Sequence, residues 1–455
     1  MILQTGRIRS LEGSSRGSGI HRILDAVFES ADPRLAVVRN LKLDGNRLTV
    51  GDTELLLEAY NRIRLVGLGK ASVAMAQGAL EVLGDRIDDG YLVSKHAVGD
   101  SVDLPEQVHL VQGNHPVPGE GSLNAALGLE AFLGDSRKGD MVLCMISGGG
   151  SSLASLPAEG VSLGDIQALT RLLLSCGASI NEINTLRKHL DRIKGGGLAR
   201  MAAPAQLATL ILSDVIGNPL DVIASGPTVA DESTYAEALG VLEKYSLSDK
   251  APEEIVGVLQ RGVRGELPET VKHGGSCLEG GIHVLVGSNQ AAVEAAVAQA
   301  SEEGFNTLLQ TTSLQGEASR VGFLLAKQLR ELDRSGQPLS RPACIIAGGE
   351  TTVTLHGSGL GGRNTELALG AAEELAGLSD VMLITLASDG EDGTGDAAGA
   401  VVTGDTLAEA ASLGLDPQAY LQDNDSYHFF DSLGDLLKTG PTGTNVNDLV
   451  FLFAF

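Results

Sequence analysis

Five stretches of this chain carry residue types and spacings that could do chemistry. VGLGKAS (66–72) follows an apolar run and opens a helical pattern, as Gly67-x-Gly69-x-x-Ser72. It resembles a dinucleotide fingerprint, which needs an acid at the end of the next strand for the ribose hydroxyls. That strand, YLVSK, ends in Lys95, so NAD is disfavoured. Lys70 sits in the turn, where a cation adds to a helix dipole and makes an anion pocket; a solvated junction lysine is the other reading. ISGGGSSL (146–153) follows MVLCMI, and three successive glycines exceed what a turn needs. Ser147, Gly148, Gly149, Gly150, Ser151 and Ser152 therefore read as a loop for phosphate or carboxylate.

NTLRKHLDRIKGGGLA (184–199) concentrates Arg187, Lys188 and Lys194 before Gly195 and Gly196. It is either an anion site or a charged helix with a glycine C-cap. Asp214 in LILSD and Asp389 in LITLASD end apolar runs, where open α/β sheets bind ligands and carboxylates hold Mg²⁺ or take a proton. Glu391, Asp392 and Asp396 follow in the same loop and read more simply as solvated acids. AGGETTVTLHGSGLGGRNTELALG (347–370) places Arg363 at a helix start, suited to gripping an anion bidentately. Asn289, which opens the helix after HVLVGS, and Glu350 of the GGE turn join Lys194 and the glycine loops in the expected nucleotide- and phosphate-binding set. Asn114 and His115 in GNHPVPGEGS are substrate-binding candidates together with Lys70, Arg187 and Arg363; a turn histidine beside Pro116 is the competing reading.

The elements that position these residues alternate. Apolar β-rich runs at 62–69, 141–147, 207–214, 343–350 and 381–389, among others, alternate with helical patterns at 72–83, 122–133, 289–304 and 364–377. Alternation of this kind predicts parallel sheets covered by helices on both faces. We expect two α/β domains, the N-terminal one Rossmann-like (1–240) and a C-terminal one (241–455), with a connecting region at 246–281 and the active site in the interdomain cleft. The closing NVNDLVFLFAF is apolar to its end and predicts a paired strand.

Composition narrows the class. With 33 basic against 58 acidic residues the formal charge is −25, which argues against nucleic acid and anionic lipid as partners. Trp is absent and aromatics are 3%, so there is no stacking platform for sugars or single strands. The four cysteines have no metal or redox spacing. No apolar run approaches a membrane span and the opening residues lack a signal-peptide core, so the expected location is cytoplasmic. P-loop, protein-kinase, GxSxG and HExxH motifs are all missing.

LVGLGKAS, GNHPVPGEGS, ISGGGSSLASLPAEG, INTLRKHLDRIKGGGLA, LSDVIGNPLDVIASGPT, AGGETTVTLHGSGLGGRNTELAL, ASDGEDGTGDAAGA and TGPTGTNVNDL occur in this order. Together they resemble the glycerate 2-kinase family with a C-terminal MOFRL domain, here about residues 340–452. The resemblance implies phosphoryl transfer from ATP to the C2 hydroxyl of D-glycerate, with Mg²⁺ or another divalent cation. It implies Lys70, Asp214, Arg363 and Asp389 as catalytic positions, Asp214 and Asp389 being also the metal candidates. A hydroxypyruvate reductase and a non-catalytic small-anion binder are the alternatives. Oligomeric state is left open, a homodimer included.

Overall fold

The computed structural model describes residues 8–95 and 103–455. The opening segment read for a signal peptide therefore lies partly outside the described residues. The chain forms two compact units.

The first unit holds residues 33–213 and 218–286. Its strands β1 (Leu41–Asp44), β2 (Arg47–Val50) and β3 (Thr53–Leu56) make an antiparallel three-stranded sheet. A second sheet holds β4 (Arg62–Leu68), β5 (Asp89–Ser94), β6 (Val108–Gln112), β7 (Asp140–Ile146), β8 (Gln206–Leu212) and β9 (Ile282–Gly287), in the order β6-β5-β4-β7-β8-β9. The pairs β4–β5, β5–β6, β4–β7 and β7–β8 are parallel. Counted from β4 this is 3-2-1-4-5-6, the doubly wound Rossmann order, and its direction of growth reverses between β4 and β7. The run MVLCMI behaves as a strand covered on both faces requires: every residue of β7 is buried. The helix Ser72–Leu83 buries Met75, Ala76, Ala79 and Leu83 at helical spacing. Between 246 and 281, the helix Glu253–Val263 buries Ile255, Val258 and Leu259 in an apolar cluster with Leu173, Leu186 and Leu242.

The second unit holds residues 8–32, 214–217 and 287–455. Strands β10 (Asn306–Leu314), β11 (Ala343–Gly349), β12 (Val381–Ala387), β13 (Gly399–Thr403), β14 (Leu436–Leu437) and β15 (Asp448–Ala454) form one sheet, ordered β10-β11-β15-β12-β13-β14. Here the expectation of a parallel sheet is corrected. Only β10–β11 is parallel, while β15 runs antiparallel to both β11 and β12. β14 runs in the direction of β12, and no helix lies between β14 and β15, so the chain turns back and the last segment enters the sheet reversed. It fills the gap between two strands that themselves run the same way. All of β15 is buried, which explains the apolar C-terminal segment. The helix Gly17–Ala31 belongs to this unit and packs on the helix Asn289–Glu302, where Ser30 Oγ donates to the Ala291 carbonyl at 3.1 Å.

Candidate functional site

In the first unit the sequence-derived residues gather at the switch between β4 and β7, the place where doubly wound sheets bind ligands. Gly69 has φ +140, and a Cβ there would stand 2.1 Å from Ser147 Oγ. This glycine therefore serves close packing of two loops, which accounts for the dinucleotide-like spacing without a dinucleotide. The loops are laced by Lys70 N–H to Gly148 O (2.9 Å) and Ala71 N–H to Ser147 Oγ (3.0 Å). The Lys70 side chain is exposed and forms no ion pair among the described residues. A Cβ added at Gly149 (φ +82) would lie 3.1 Å from both Lys70 Cγ and His115 Cδ2, so loop, lysine and histidine converge on one spot. Burial, with the charges of Lys70 and Lys95, pulls His115 down to about 4. His115 is thus a neutral imidazole at pH 7. The N–H groups of Gly148, Gly149 and Ser151 donate to no acceptor among the described residues, which leaves a small nest of donors for an anion.

The neighbours of this nest are mostly occupied. Asn114 Oδ1 accepts from Ser122 N–H at 3.3 Å and braces the start of the helix Glu120–Leu133. Ser152 Oγ donates to Gly149 O at 3.0 Å. Ser151 Oγ lies 2.9 Å from Ser225 Oγ, which donates to Asn184 Oδ1 at 3.1 Å. Lys194 Nζ is buried against Asp191 at 2.6 Å, and Asp191 also accepts from Ser155 Oγ and Leu156 N–H. Burial lowers the Lys194 pKa and the Asp191 charge opposes this. Lys194 is therefore committed to bracing the loop after Ser152. The triple glycine is not a C-cap: its helix ends at His189, and Gly196 is the N-cap of the next helix, Gly197–Ala202. Gly195 and Gly196 donate to the carbonyls of Ser225 and Gly226 at 3.0 and 2.8 Å. Arg187 is partly buried and carries no hydrogen-bonded partner among the described residues; burial lowers its pKa, opposed by Asp191.

The second unit contributes a cavity of about 970 Å³ whose wall includes Glu350, Arg363, Glu366 and Asn424. Arg363 is clamped by a residue that the sequence reading did not select. Its Nε and Nη2 donate to the two carboxylate oxygens of Asp448 at 2.5 and 3.0 Å, while Nη1 stands 3.3 Å from Glu350. Burial pushes the Asp448 carboxyl up, to about 6, against the pull of the guanidinium; the bidentate contact keeps it ionised at neutral pH. Glu350 also accepts from Asn447 Nδ2 at 3.1 Å. Asn289 Nδ2 is spent on the Val446 and Asp448 carbonyls (2.9 and 3.0 Å), so its donors hold β15 in place.

Asp389 follows β12 and is partly buried, its Oδ1 accepting from Glu391 N–H at 3.1 Å. Asp392 is a buried cap of the helix Arg363–Leu375, accepting from Asn364 and Thr365 N–H at 2.9 and 2.7 Å. Asp396 accepts from Tyr427 Oη at 2.6 Å. Asp214 comes two residues after β8 and is partly buried. Among the described residues no group of three or more His, Cys, Asp or Glu gathers to hold a metal. The chain can offer one or two carboxylates, which fits Mg²⁺ carried by a phosphate ligand and does not fit an all-protein cage.

Fold and site define a Rossmann-like α/β protein with a cluster of unpaired backbone amides at its switch point and an acid-held arginine in a second unit. Comparison with known proteins makes this specific. Residues 19–260 match a domain described as a domain of unknown function (DUF4147), and residues 343–448 match the MOFRL family. The chain is 45% identical over 390 residues to D-glycerate 2-kinase of Thermotoga maritima, covering 86% of this chain and 90% of that protein. It is 41% identical over 451 residues to a putative hydroxypyruvate reductase of Agrobacterium vitis, covering 98% and 97%. The crystal structure of a glycerate kinase from Thermotoga maritima superposes with a TM-score of 0.85 at 41% identity, covering 96% of this chain and 99% of that one. The chain belongs to the glycerate kinase family that carries a MOFRL domain.

Proposed function

We propose that this chain is a glycerate 2-kinase, transferring the γ-phosphoryl of ATP to the C2 hydroxyl of D-glycerate to give 2-phosphoglycerate and ADP. The observation that carries the reading is near full-length similarity to a D-glycerate 2-kinase. The C2 oxygen forms a bond to the γ-phosphorus as the bond to the β–γ bridging oxygen breaks, and a carboxylate takes the hydroxyl proton. Such a transfer needs positioning and charge neutralisation more than covalent chemistry. Lys70, which forms no ion pair among the described residues, neutralises the moving phosphoryl group. The free amides of Gly148 and Gly149 hold phosphate oxygens of ATP. Arg363 presents Nη1 from a fixed position. Of Asp214 and Asp389, one accepts the proton and the other helps hold a divalent cation, which supplies charge neutralisation on the phosphates when bound.

The reductase name borne by one relative meets no ribose-binding acid here, since Lys95 follows β5. No helix among the described residues is long and apolar enough to cross a membrane. All four cysteines are free, which suits the reducing cytoplasm we assign to the enzyme. The test is ADP release dependent on D-glycerate, run beside nicotinamide absorbance with hydroxypyruvate. Glycerate-dependent ADP with no nicotinamide turnover supports the kinase, and the reverse overturns it. If Asp214→Asn and Asp389→Asn both keep wild-type turnover, the roles given to these acids are wrong.

A further inference from the structure

Ser225 sits in a run of three left-handed residues, Ala224, Ser225 and Gly226, at φ 50, 61 and 60. This turn aims a buried hydroxyl, 1% exposed, between Ser151 and Asn184. A hydroxyl has one hydrogen, and an amide oxygen only accepts. Ser225 gives its hydrogen to Asn184 Oδ1, so in the Ser151–Ser225 contact the donor must be Ser151. The Ser151 hydrogen is thereby spent inward. Its oxygen, on a partly exposed residue, is left with lone pairs only for any further partner.

Such an oxygen repels phosphate and carboxylate and binds a donor. It stands beside groups of the opposite preference. Asn184 is 5% exposed and its Nδ2 has no acceptor among the described residues. Arg187, three residues on along the helix Ile180–His189, lies on the same side and also lacks a hydrogen-bonded partner among the described residues. An acceptor next to an amide and a guanidinium suits a small carboxylate that also bears a hydroxyl. We propose that Asn184 and Ser225 orient Ser151 as an obligate acceptor for the C3 hydroxyl of glycerate, with Arg187 and Asn184 Nδ2 holding the carboxylate. This rests on the glycerate kinase reading and predicts that the enzyme separates glycerate from 2-hydroxy acids that lack the C3 hydroxyl. Asn184 and Ser225 are positioning residues; Ser151 touches substrate.

The experiment compares dissociation constants for D-glycerate and D-lactate by isothermal titration calorimetry, beside glycerate phosphorylation by the wild type. A site that reads a substrate hydroxyl rejects the analogue without it by several orders of magnitude. We expect Ser151→Ala to cut the glycerate preference by ~10² and Ser225→Ala, which frees the Ser151 hydrogen, by ~10-fold. Ser151→Thr, which keeps the hydroxyl, should retain the preference within about threefold. An unchanged preference in Ser151→Ala, or equal weakening of both ligands, overturns the inference while leaving the kinase reading intact. Absence of glycerate phosphorylation by the wild type overturns the kinase reading instead.

Discussion

Lys70 and Arg363 are cations that the chain holds in opposite ways. Lys70 rises from a turn at the Rossmann switch point, exposed and with no ion pair among the described residues. Arg363 starts a helix in the mixed sheet unit and is gripped along one edge, through Nε and Nη2, by Asp448 and at Nη1 by Glu350. A flexible ammonium without a partner can follow a phosphoryl group as its charge moves. A guanidinium locked by two acids contributes direction, and much of its charge is already answered. Lys70 should therefore matter to turnover and hardly to folding, whereas the frame around Arg363 should matter to both.

The largest way to break this comparison is to remove the frame. Deleting residues 449–455 takes out nearly all of β15, the strand between β11 and β12. We expect no cooperative urea transition for the second unit, followed by circular dichroism. Next comes Asp448→Ala, which leaves a partly buried guanidinium without its main partner. A loss of about 3–5 kcal/mol in urea unfolding is expected, together with reduced activity. Lys70→Ala sharpens the contrast from the other side. It should lower kcat/KM by ~10² while shifting stability by under about 0.5 kcal/mol. If Lys70→Ala destabilises as much as Asp448→Ala, the two cations are not held differently.

Smaller effects follow. Gly69→Ala puts a Cβ against Ser147 at a backbone angle of φ +140 and should cost about 2 kcal/mol by thermal melting. The smallest concerns His115. The unfolded chain binds its proton near 6.5 and the folded chain only near 4. Between those values the unfolded state holds more protons, so stability falls on acidification through this window. His115→Gln should flatten the melting temperature against pH between 6.5 and 4; an unchanged slope would mean that another group sets it.

Much of the frame was legible in the sequence. Runs such as RIRLVGL and MVLCMI are continuous and apolar because β4 and β7 are covered on both faces, and that signal needs no knowledge of neighbours. The turn holding Lys70 was legible because strand, glycine and helix follow one another locally. Sheet order was not: nothing in NVNDLVFLFAF says that it inserts between β11 and β12, or in which direction. Asp448 escaped notice for the same reason. It reads as the first residue of an apolar strand, and its partner Arg363 lies 85 residues away. Lys194 misled in the opposite sense. A basic residue beside three glycines looks like an anion site, yet its charge is spent on Asp191, three residues earlier. Charge density along a sequence does not separate cations that await a ligand from cations already paired in the interior.

The most direct test of the central claim is the position of the transferred phosphoryl group. Purified protein with ATP, Mg²⁺ and D-glycerate is coupled to enolase alone, and in parallel to enolase with phosphoglycerate mutase. Phosphoenolpyruvate from enolase alone is the predicted result and places the phosphoryl group on C2. Phosphoenolpyruvate that requires the mutase would place it on C3 and contradict the account.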